Sequence, residues 1–139
     1  MSQPDAEALI VRDWTADVDV DRSGSVLAAV SNAMVGLKKR HYGKGPEKAR
    51  TYTGDNYLFC VLEGGLTRSE ETLIAAGEDD AVRNYRLLFQ EVVADAATSA
   101  VEEITGRTVL SYHSQIVFRP ARAFEIFVLD APLRLDSNG

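Results

Sequence analysis

The sequence predicts an α+β domain, an antiparallel sheet of about four strands with helices packed mainly on one face. Apolar residues recur at helical spacing from Val26 to Leu37 and again from Val82 to Ile104. Apolar or alternating runs bounded by turn residues occupy Tyr57–Glu63, Val109–Phe118 and Phe124–Leu129. The resulting order of helix, hairpin, two helices and hairpin lacks the strand–helix alternation of a parallel doubly wound sheet.

Residues 1–22 mix acids with isolated apolar residues and show no helical stripe, so they read as a mobile acidic arm. An added edge strand through Val18 and Val20 is the alternative. One α+β domain is expected over 23–132, followed by a C-terminal tail at 133–139. From Ser25 the stripe Val26, Val30, Ala33, Met34 and Leu37 forms a helix. It ends in Lys38-Lys39-Arg40-His41, cations that complement the negative end of the helix dipole, and Gly43 suits a left-handed cap. Pro46 then fits the first position of a short helical turn, Pro46 to Ala49, because it has no N–H to satisfy there.

Arg50 to Thr53 and Tyr57 to Glu63 form a hairpin around Gly54-Asp55-Asn56. In the second strand both alternating sets, Tyr57/Phe59/Val61 and Leu58/Cys60/Leu62, are apolar, so both faces call for a cover. Thr67-Arg68-Ser69-Glu70 is a capping box opening a short helix to Ala76, which Gly77 ends. Glu78-Asp79-Asp80 precede a long helix from about Ala81 to Thr105, with the stripe Val82, Tyr85, Phe89, Val92, Val93, Ala96, Ala100, Val101 and Ile104 toward the sheet. Val109 to Phe118 alternates, with Leu110, Tyr112, Ile116 and Phe118 on one side and Ser111, His113 and Gln115 on the other. Arg119 to Arg122 turns the chain into the last strand. Helices on one face leave the second apolar set uncovered, and a homodimer is the economical cover.

Length and composition narrow the function. With 139 residues, 45% hydrophobic and 26% charged, the chain can build one core of its own. Its longest apolar run, Tyr57 to Leu62, is far short of the ~20 residues a membrane helix needs. The first residues lack the pattern of a secretory signal, and the single Cys60 sits in an apolar run as a structural thiol; both fit a cytoplasmic location. Net charge is −6, yet Lys38 to Arg50 holds six Lys or Arg against Glu47 alone, a local +5 that leaves −11 to the rest. General binding to nucleic acid or anionic lipid is therefore disfavoured, while one local anion site is not.

The candidate ligand residues are Gly43, Lys44, Gly45, Lys48 and Arg50, joined by Arg83 and Arg86. Backbone N–H groups at a helix start after Gly45 can hold a phosphate or carboxylate with lysines nearby. The same residues also make a helix C-cap followed by a proline-started turn with solvated lysines. Arg83 and Arg86 oppose the dipole at the start of the long helix, which points to ion pairs with Glu78, Asp79 or Glu70, or to a partner's carboxylate. Glu102 and Glu103 oppose it at the other end, where Arg107 is the natural partner. His41 and His113 have no spacing to complete a metal set, and Ser111-Tyr112-His113-Ser114 does not assemble a relay along one strand. No catalytic residue, metal or cofactor is assigned.

Taken as a set, Gly43-Lys44-Gly45-Pro46-Glu47-Lys48-Ala49, Leu62-Glu63-Gly64-Gly65-Leu66-Thr67 with Glu70 and Leu73, and Val82 with Arg83 and Arg86 resemble the bacterial MpsC-like domain family. Glu102-Glu103-Ile104-Thr105-Gly106-Arg107 and Glu125-Ile126-Phe127-Val128-Leu129 continue the resemblance, which runs from about Ser25 to Asp130. Lys44 stands where that family often has Arg, and Gln115 where it often has Asp. The family label refers to a Na+-translocating, membrane-potential-generating system, which implies for a chain without a span the part of a cytosolic accessory. The expected function is a non-enzymatic interaction or regulatory module, homodimeric, with a protein partner in a membrane transport system. A small-anion sensor using Gly43–Arg50 is the alternative, and an enzyme of unknown reaction a further one.

Overall fold

The computed structural model describes residues 6, 9, 12–15, 17–19 and 25–134. Among them the chain forms α1 (Val26–Tyr42), β1 (Lys48–Gly54), β2 (Tyr57–Glu63), α2 (Arg68–Ala75), α3 (Asp79–Thr105), β3 (Val109–Phe118) and β4 (Ala121–Leu129). The four strands make one antiparallel sheet in the order β1-β2-β4-β3. This is the α+β architecture that the order of periodic segments predicts.

Helix ends follow their local chemistry. The Ser25 side chain accepts from the Ala28 N–H at the start of α1, and Gly43 closes it in the left-handed region with φ 76°, its N–H donating to Lys39. Thr67 and Glu70 satisfy one another's N–H groups at α2, the capping box in full. The long helix α3 starts two residues earlier than its periodicity suggests, with Asp79 and Asp80 in the first turn. Pro46 does not start a helical turn. Residues 44–47 are irregular, Pro46 is buried, and β1 begins at Lys48. The Glu47 N–H bonds to the Glu63 carbonyl at 2.7 Å, so the hairpin ladder begins where a helix start was expected.

Helices α1 and α3 pack against the sheet, α1 over β1 and β2 and α3 over β3. Strand parity defines the face they cover. Ala49 and Thr51, Leu58, Cys60 and Leu62, Ile116 and Phe118, and Ala123, Glu125, Phe127 and Leu129 are all buried. Val30, Ala33, Met34 and Leu37 meet them from α1, and Val82, Ala96, Ala97, Ala100 and Val101 from α3. The stripe on α3 is rotated relative to the sequence expectation: Tyr85 and Val92 are exposed, whereas Arg86 and Gln90 are buried. On β3 a register shift between Val109 and Ser111 turns Leu110 outward, 64% exposed, against its expected place beside Tyr112.

The described residues between 6 and 19 make contacts with the rest of the domain. Leu9 and Val18 are buried in the core. The Trp14 ring lies so close to Gly36 that a Cβ there would meet its indole at 2.7 Å, and the Trp14 N–H donates to Asn32 Oδ1 at 2.8 Å. Asp19 pairs with Lys48 in a parallel bridge, its N–H donating to Glu47 and its carbonyl accepting from Ala49. The edge pairing thus exists at Asp19, and Val20 lies outside the described residues, as does 135–139 of the tail. The arm was illegible because its anchors are single apolar residues without a period.

Candidate functional site

The basic segment after α1 is spent largely on the fold. Lys44 Nζ donates to the Leu66 carbonyl at 3.0 Å and tethers the loop to the segment after β2. Gly45 admits the Lys39 stem, which a Cβ would meet at 2.7 Å. Lys48 pairs loosely with Glu63 at 3.9 Å. Arg50 reaches Asp19 through both carbonyl and carboxylate, at 2.7 and 2.8 Å, and so fastens the N-terminal segment to the sheet edge. Arg83 pairs with Asp80 at 2.7 Å and lies over the Phe118 ring.

Arg86 goes inward. Its Nε and Nη2 donate to the two oxygens of Glu70, both at 2.6 Å, Nη2 also donates to the Gly65 carbonyl at 3.0 Å, and the guanidinium lies over the Tyr42 ring. Gly65, with φ 82°, brings its backbone close under Pro46, where a Cβ would stand 3.0 Å from the proline Cα. Of the predicted residues, Gly43, Lys44, Gly45 and Arg86 therefore gather around one loop junction, while Lys48, Arg50 and Arg83 serve separate pairs.

Beside Arg86 lies a second buried polar group that periodicity did not reveal. Glu125 on β4 accepts from Gln90 Nε2 at 3.0 Å, from Ser114 Oγ at 3.1 Å and from the Tyr112 hydroxyl. The Tyr112 oxygen also lies 2.8 Å from Gln90 Oε1, and its ring stacks on Phe127 with centroids 4.8 Å apart. Lys38 Nζ stands 3.5 Å from Glu125 Oε1 without a hydrogen bond of good geometry, and its side chain is only 8% exposed. Burial pulls the Lys38 pKa down, Glu125 opposes that shift, and the Arg86 charge adds to it. Burial likewise raises Tyr112, with Glu125 adding to the effect. The one available signal was a charged residue, Lys38 or Glu125, standing on an otherwise apolar face.

Ser111 and His113, two apart and on the same face, meet at 3.1 Å, but on the exposed side of β3. Glu102, expected to pair with Arg107, instead accepts the Val109 N–H at 2.8 Å. Among the described residues no group of three or more His, Cys, Asp or Glu could hold a metal ion.

Among the described residues, the face of the sheet opposite α1 and α3 carries no helix. Strand pairing sets Tyr52, Phe59, Ile126 and His113 in one row, Arg50, Val61, Phe124 and Gln115 in the next, and Lys48, Glu63, Arg122 and Val117 beyond it. Tyr57 and Val128 complete the apolar centre. None of these side chains is buried; Tyr52, Tyr57 and Phe59 are 49%, 50% and 37% exposed. Tyr52 and Phe59 stack on each other at 5.2 Å. An apolar centre on β2 and β4 with polar residues on the outer strands has the anatomy of a protein interface.

Residues 22–131 match the family model described as "Na+-translocating membrane potential-generating system (MpsC)". The chain is 29% identical over 96 residues to the "Uncharacterized protein YrhF" of Bacillus subtilis (strain 168), covering 68% of this chain and 79% of that protein. No solved structure matches. No helix among the described residues is long and apolar enough to cross a membrane.

Proposed function

The chain belongs to the MpsC family, and from that membership together with the uncovered sheet face we propose that it is a non-enzymatic interaction module, self-paired through that face and accessory to an ion-transport system. The carrying observation is the apolar centre formed by Tyr52, Tyr57, Phe59, Val61, Phe124, Ile126 and Val128, which α1 and α3 do not cover. Aromatic and branched side chains held on a rigid sheet in water are costly, and burying them against a like surface removes that cost. A second copy offers the same face with both charge signs, Lys48 and Arg122 beside Glu63, at one end. A membrane system named for moving Na+ gives such a module a place to dock, and among the described residues no helix is long and apolar enough to cross a membrane.

Sedimentation tests the pairing, and physiology tests the accessory role. A strain lacking the gene and complemented with wild type should recover Na+-dependent membrane potential, followed by a potential-sensitive dye. Complementation with Phe59→Asp should fail while the protein remains folded and abundant. Equal recovery by both proteins would remove the sheet face from the function.

A further inference from the structure

We infer that a second, separate site binds a compact anion in the cleft between the Gly43–Pro46 loop, the Gly64–Leu66 loop and the ends of β3 and β4. Four cations line this cleft, Lys38, Lys44, Arg86 and Arg122, and no carboxylate does. Its free space is about 10 Å³, the room of one water-sized group. Lys38 forms part of its wall; its ammonium is more than nine-tenths buried, lies 3.5 Å from Glu125 Oε1 and makes no hydrogen bond within the described fold. Such a donor costs free energy unless an acceptor reaches it.

The surrounding partners leave capacity for that acceptor. Lys44 spends one donor on the Leu66 carbonyl, and Arg122 spends its Nε on Glu63 Oε1 at 2.9 Å, so each keeps N–H groups for a ligand. Arg86 is held rigidly by Glu70, whose carboxylate offsets its charge, so it shapes the wall while Lys38, Lys44 and Arg122 offer the N–H groups. Gly64 and Gly65, with φ 76° and 82°, let the backbone bend around the cleft and pack closely on its neighbours, since a Cβ there would meet Glu47 at 2.8 Å or Pro46 at 3.0 Å. Glu47 lies over Gly64 but does not line the cleft, and Glu125 approaches Lys38 without satisfying it geometrically. The size selects a halide ion or the single oxygen tip of a carboxylate or phosphate. This inference does not rest on pairing through the sheet face.

Wild type, Lys38→Met and Lys44→Gln are compared in thermal unfolding with sodium bromide, acetate or phosphate at matched ionic strength. Comparison between proteins at equal salt removes the general effects of salts on apolar burial. Wild type is expected to gain about 3 °C or more with at least one anion, and Lys44→Gln, an exposed change that leaves the core intact, to need about threefold more of it. A gain with bromide identifies a free halide; a gain with acetate or phosphate alone identifies the tip of a larger ligand. A wild-type crystal grown with the responding anion should show it within hydrogen-bond distance of Lys38 Nζ. Identical responses of wild type and Lys44→Gln, or ordered water alone at that position, would overturn the site whether or not Lys38→Met folds.

Discussion

Arg86 donates two parallel hydrogen bonds to Glu70, Nε to one oxygen and Nη2 to the other, and both residues are about 95% buried. The pair locks α2 to α3, and the same Glu70 caps α2 through Thr67. Breaking a buried pair by removing one partner strands the other charge. Arg86→Met should therefore cost about 3–5 kcal/mol, read as a fall in the chemical denaturation midpoint. A loss below about 1 kcal/mol would mean that the pair is solvated and worth no more than a surface bridge.

The same pair gives a pH dependence with a definite sign. Burial pushes the Glu70 pKa up, but hydrogen bonds and charge from Arg86 together with the Thr67 contacts hold it below its ordinary value of 4.5. Folding thus favours the ionised carboxylate, a contribution complete above pH 4.5 and lost as the pH falls through the lowered value. Wild type should lose stability on acidification below that point, and Glu70→Gln should show a shallower loss over the same window. Parallel curves for the two proteins would contradict this.

The cap itself can be weighed alone. Thr67→Ala removes the hydroxyl that accepts the Glu70 N–H at 3.2 Å while leaving the Glu70–Arg86 pair in place. A cost of about 1 kcal/mol is expected from denaturation. An unchanged midpoint would show that α2 does not depend on its capping box.

Cys60 lies fully buried on β2, facing α1 beside the Ser31–Thr51 hydrogen bond. Burial pushes its thiol up to about 12, so the native protein holds a thiol and not a thiolate at neutral pH. A thiol reagent such as dithionitrobenzoate should label it only as fast as the protein unfolds, and denaturant should expose one thiol per chain. Rapid labelling of native protein would show that this strand opens locally.

The sequence made the covered layer legible because periodicity reports directly on alternation and helix faces. β2 and β3 fall where their patterns place them, and Thr67 and Gly43 mark helix ends by local chemistry alone. The candidate site was less legible. Pro46 suits a helix start locally, but pairing of Glu47 with Glu63 claimed the segment for the sheet. For Arg86 the sequence offered Glu70 only as one of three ion-pair partners, and the structure selects it in the core; Gln90 was left unplaced, and Glu125, 35 positions away, takes it inward. Lys38 read as part of a terminal cation run, yet it alone of Lys38-Lys39-Arg40-His41 is buried. Contacts between segments distant in sequence decide each of these cases, and no local window contains them.

The most direct test of the pairing claim is sedimentation equilibrium of the wild-type chain and of Phe59→Asp at low micromolar concentration. Phe59 stands opposite Ile126 at the centre of the open face, so a carboxylate there would be buried and unpaired in the paired molecule yet solvated in the single one. The account predicts a wild-type species of twice the 15.2 kDa chain mass and a folded Phe59→Asp protein at 15.2 kDa. A wild-type species at 15.2 kDa alone, or a Phe59→Asp protein that stays paired, would contradict it.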